Sequence, residues 1–125
     1  MNSLILFSAL LFAPIAASHE SPFACNVAAL TGAERHRHFD ELGPALRAVK
    51  TGVKEWPDGY EFQFPSDRKT VGMLLEWAEQ ERLCCPFFDI SIRFAPERGT
   101  VSLRLSGRPG TKDFIRADAG PWLKQ

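Results

Sequence analysis

Hydrophobic and polar positions follow two different periods along this chain, and each change of period marks an element. From residue 31 to 49 apolar residues recur at helical spacing, at Phe39, Leu42, Leu46 and Val49, which predicts a helix burying that stripe. The run "TGAE", residues 31–34, opens it as a capping box: Thr31 accepts from the backbone at the helix start and Glu34 reaches back. Gly43 and Pro44 interrupt the segment, so a kink or a division into two short helices is expected there.

The period then falls to two. In "VKEWPDGYEFQFP" the Pro57-Asp58-Gly59 turn signal separates two extended runs, and Tyr60, Phe62 and Phe64 share one face of the second. A second helix follows, capped by Ser66 or Asp67, with Val71, Leu74, Leu75 and Ala78 as its apolar stripe. Beyond it Ile90, Ile92 and Phe94 alternate with polar residues on one strand and Val101, Leu103 and Leu105 on the next, joined through Pro96–Gly99. "PGTKDFIRADA" predicts a closing helix with Thr111 as cap and Phe114 and Ile115 inward. The class is α+β: a helix, then two strand–strand–helix units, with antiparallel hairpins covered by helices on one face.

The N-terminus changes this picture. Residues 1–18, "MNSLILFSALLFAPIAAS", carry no charged side chain and read as a secretory signal peptide whose apolar core is too short to anchor the chain in a membrane. The organisation expected is a signal peptide over 1–18, an arm over 19–29 and a single domain over 30–125. Export points to a periplasmic or extracellular address, where disulfides persist. With 15 basic and 15 acidic side chains the net charge is zero, which argues against nucleic acid as a partner.

Candidate chemistry gathers at the three cysteines, Cys25, Cys84 and Cys85. Pro86 disfavours helical geometry at Cys85, so the second helix is expected to end at about Cys84. If the helix ran through both, the two side chains would diverge by about 100°. A helix C-terminus disfavours a thiolate; Arg82 offsets this and Glu81 opposes Arg82, so these two are the supporting residues. Three fates compete for the sulfurs: burial as space-filling side chains, a disulfide from Cys25 to one of the pair, or binding of a soft ion such as Cu(I), mercury or zinc by two or three thiolates. His38, one turn before Leu42, is a candidate further ligand, although His36 and His38 alternating with Arg35 and Arg37 also fit a solvated face. His19 would stand near the mature N-terminus. A thiol enzyme pairing Cys84 or Cys85 with His38, with Asp89 as an acid, is a further alternative.

The run "ERLCCPFF", with "WPDGYEFQFP" before it and "LSGRPGTKDF" after it, resembles a family of small uncharacterised bacterial proteins sharing a Glu-Arg-x-Cys-Cys-Pro-Phe motif. More remotely, tandem strand–strand–helix units together with "CCPFF" are similar to the fold of organomercurial lyase and of the copper-binding accessory protein of nitrous oxide reductase maturation. The first resemblance implies no activity. The second implies thiol–metal chemistry at Cys84 or Cys85, with Cys25 as a second thiol. The expectation is therefore an exported protein that binds or traffics a soft metal ion, its partner being that ion or a metal-handling protein. The alternatives are a disulfide-stapled non-catalytic module and a thiol enzyme.

Overall fold

The computed structural model describes residues 13–14 and 20–125, so the signal-peptide expectation, apart from Ala13 and Pro14, and His19 lie outside the described residues. Four strands form one sheet: β1 (Gly52–Trp56), β2 (Gly59–Phe64), β3 (Asp89–Phe94) and β4 (Val101–Ser106), in the order β1-β2-β4-β3 and antiparallel throughout. The two hairpins join through their second strands, so Tyr60 faces Leu105, Phe62 faces Leu103 and Phe64 faces Val101. Because side chains alternate along a strand, these six fall on one face, and all are buried. Gly59 follows the first turn at a crowded point: a Cβ there would lie 1.9 Å from the Leu105 carbonyl oxygen.

The opposite face is polar. There Trp56 lies under two cations, Lys54 Nζ at 4.2 Å and the Arg104 guanidinium at 4.4 Å from its ring centre. Phe94 departs from expectation, being 55% exposed at the end of the edge strand β3.

The first helical segment begins as expected. Thr31 Oγ1 accepts from Glu34 N–H at 3.2 Å, and Glu34 Oε2 accepts from Thr31 N–H at 2.7 Å. The expected interruption is present as a change of helix type: α1 (Gly32–His36) widens into a π turn over Arg37–Leu42, and a second short helix, α2 (Gly43–Val49), follows from Gly43. Pro44 has no N–H and its ring crowds the carbonyl four residues back; the wide turn, in which Gly43 N–H donates to the His38 carbonyl, absorbs the conflict. The inserted residue rotates the upstream turn. Leu42 and Leu46 are sealed as expected, but His38 takes the inward place expected of Phe39, which is exposed, as is Val49 at the helix end.

Asp67 caps α3 (Arg68–Cys84), its Oδ1 accepting from Thr70 N–H at 2.9 Å. The buried face is Thr70, Leu74, Trp77, Ala78, Gln80, Glu81 and Cys84, rotated from the expected one so that Leu75 faces out. Trp77 accounts for the rotation: its ring lies 4.9 Å from that of Trp122 and 5.2 Å from that of His38, and burying an indole removes more apolar area than burying Leu75. In α4 (Thr111–Asp118) Ile115 is sealed and Phe114 half-buried, as expected. Thr111 is not the cap. Gly110 holds that place with φ 104°, and the Thr111 hydroxyl is buried without a partner among the described residues. A closing turn over Gly120–Leu123 lays Trp122 across the core against Phe62. Helices cover one face of the sheet, and the α+β class stands as the sequence predicts.

Candidate metal centre

Pro86 ends α3 at Cys84, and this single stop arranges the cysteine pair. Cys84 is the last helical residue and continues the inward stripe of Trp77 and Glu81. Cys85 leaves the helix at φ −124° and ψ 71° while its N–H still donates to the Glu81 carbonyl at 2.7 Å. Because Cys85 is not helical, the divergence of a continuous helix is cancelled and both side chains turn inward, at 0% and 1% exposure.

Cys25 reaches them from the N-terminal arm. Asn26 N–H donates to the Cys84 carbonyl at 2.8 Å, satisfying one of the free carbonyls at the end of α3 and fixing the arm to the cysteine pair. Phe23 anchors the arm, its ring 5.2 Å from Phe87 and 6.5 Å from Phe114, with the Arg108 guanidinium 4.2 Å over it. Gly110 leaves room for that ring, since a Cβ there would sit 2.6 Å from Phe23 Cε2. Leu30, Cys84, Cys85 and Phe87 then form a small apolar cluster apart from the main core.

The result is three sulfurs within 4.8 Å of one another, with Cys25 Sγ and Cys85 Sγ 3.0 Å apart and none in a disulfide. Cys25 is exposed; the other two are not. Their acidities diverge. The Cys25 thiol is held below its ordinary value, chiefly by its hydrogen bond with Cys85. Cys84 is pushed up to about 12, by burial first and then by the charges of Cys25 and Glu81. Cys85 is raised further by its bond to Cys25, by burial and by Glu81.

This divergence predicts the order of reaction. A lowered pKa keeps thiolate present at lower pH, so in the metal-free protein Cys25 is alkylated by iodoacetamide first, with half-maximal rate below the pH of about 8.5 typical of a free cysteine. Phe23→Ala, by loosening the arm, returns that midpoint towards the ordinary value and exposes Cys84 and Cys85 to reagent. Peptide mass mapping across pH reads both outcomes.

The other expected site residues divide. Glu81 is buried beside the sulfurs and acts on all three as a negative charge. His38 is 1% exposed, not solvated. Its ring stacks on Trp77, with Nε2 2.6 Å from Glu81 Oε2 and Nδ1 3.1 Å from Gln80 Oε1, so both nitrogens are engaged away from the sulfur cluster. Arg82 is exposed and pairs with Glu79 at 3.1 Å, pointing its charge along the helix surface. Sequence reasoning missed Phe23, Asn26 and Phe87, which hold the arm to the pair. The signal available was apolar residues flanking every cysteine: Phe23 before Cys25, and Phe87-Phe88 after the pair.

Searches of protein-family models, curated proteins and solved structures find no match to this chain.

Proposed function

We propose that the three cysteines form a binding site for a soft metal ion, which the protein holds or passes on. The convergence of three sulfurs from an arm, a helix end and the residue after it carries this reading. A metal–sulfur bond is about 2.3 Å, so a trigonal ion sets its sulfurs roughly 4 Å apart. The cluster reaches that size when Cys25 swings from Cys85 by about 1 Å. Cys25 sits on the exposed arm and is the ligand free to make that movement.

Charge supports the same reading. The mutual repulsion and the Glu81 carboxylate that push Cys84 and Cys85 up in the metal-free state become attraction once a cation stands between them. Three sulfurs suit Cu(I) or Hg(II); zinc asks for a fourth ligand, and among the described residues no His, Asp or Glu joins the three within 4.8 Å. Export and a role in handing the ion to a metal-handling protein complete the proposal.

Titration of the reduced chain with Cu(I), Hg(II) and Zn(II), followed by sulfur-to-metal charge-transfer absorption, tests it. One equivalent of Cu(I) or Hg(II) saturates the signal, protects the exposed Cys25 from iodoacetamide, and binds more tightly than Zn(II). Absence of a charge-transfer signal, with Cys25 alkylated as fast in the presence of Cu(I) or Hg(II) as without them, overturns the assignment.

A further inference from the structure

Next to the sulfurs, between the helices and the apolar face of the sheet, lies a cavity of about 160 Å³ with Cys25 at its edge. Phe62, Trp77, Phe114 and Trp122 supply aromatic walls. An apolar void of about 150 Å³ is enough to admit benzene. This one has a polar element as well. Glu81 is 8% exposed and lines the cavity; His38 engages its Oε2, while its Oε1 has no hydrogen-bond partner among the described residues. A carboxylate accepts through two oxygens, so the single bond from His38 leaves Glu81 free to accept a donor brought by a guest.

We propose that this cavity binds a single-ring aromatic molecule bearing a hydroxyl, a phenol, with the ring against Trp77, Trp122 and Phe62 and the hydroxyl donating to Glu81 Oε1. Edge-to-face and offset contacts with several rings favour an aromatic guest over an aliphatic one of equal volume. Glu81 and Asp118 line the cavity against one cation, Arg47, so its wall keeps a net negative charge that favours a neutral ring over an anionic one such as benzoate. The site goes beyond metal binding and does not depend on it.

The test is titration of phenol into the reduced, metal-free chain, followed by the indole ¹H–¹⁵N signals. Trp77 and Trp122 line the cavity, whereas Trp56 lies on the opposite face of the sheet and serves as an internal reference. The Trp77 and Trp122 signals shift saturably with a Kd of about 1 mM or below, and Trp56 stays in place. Toluene, which fills the same space without a donor, binds about tenfold more weakly. Ala119→Leu, which adds carbons to a residue lining the cavity, removes the phenol response. Absence of saturation at about ten times that concentration, movement of Trp56 in step with the others, or toluene matching phenol in the unaltered chain overturns the proposal.

Discussion

Cys25→Ser weakens binding of Cu(I) or Hg(II) by more than about a hundredfold while leaving the fold unchanged. The lower bound follows from the smaller case: removing a group that merely supports a metal ligand costs about 10–100-fold, and Cys25 is proposed as a ligand itself. The stability half of the prediction follows from position. Cys25 is exposed, and surface substitutions usually stay within about 0.5 kcal/mol. Cys84→Ser is less informative, because a hydroxyl placed at a fully sealed position costs about 1–3 kcal/mol whatever happens to the metal. Competition against a chelator of known affinity, alongside a thermal melt of the metal-free chain, separates the two quantities. An unchanged affinity in Cys25→Ser removes the arm from the site and leaves a two-sulfur centre.

How far this centre could be read in advance depends on which interactions are local. The stop at Pro86, the capping box at Thr31 and Glu34, and the alternation on β2 and β4 are consequences of neighbouring residues, and the fold class follows from them. Readings that failed rest on competition across space. On the first helical segment, Phe39 is more apolar than His38, yet the π turn that accommodates Pro44 places His38 inward, opposite Gln80 and Glu81 of α3. On α3, Leu75 lost its place to Trp77 because Trp122, forty-five residues further on, supplies the surface against which the indole packs. The cysteines divide in the same way: the location of Cys84 and Cys85 at a helix end is legible from Pro86, but their meeting with Cys25 depends on Phe23 packing against Phe87 and Phe114. Nothing in the spacing of residues 25 and 84 specifies that contact.

His38→Ala costs about 3–5 kcal/mol of folding stability and leaves metal stoichiometry intact, which distinguishes a structural histidine from a ligand. The buried ring holds Glu81 through Nε2 at 2.6 Å and stacks on Trp77 with an interplanar angle of 13°. Its removal empties a sealed aromatic site and takes the donor from a carboxylate at 8% exposure, and the loss of a buried aromatic side chain alone carries a penalty of that size. Glu81→Gln is the milder counterpart. An amide oxygen still accepts from the imidazole and no charge is left buried, so the loss falls to about 1 kcal/mol. Denaturant unfolding of the two single variants and the double variant gives their coupling directly. Glu81 also repels charge on all three sulfurs, so Glu81→Gln weakens cation binding while His38→Ala leaves the number of bound ions at one. The opposite pattern, a His38→Ala variant that folds with near-normal stability but no longer holds Cu(I), makes the imidazole a fourth ligand. That result requires His38 to release Gln80 and Glu81 when the ion arrives, a rearrangement of the segment that the π turn holds in place.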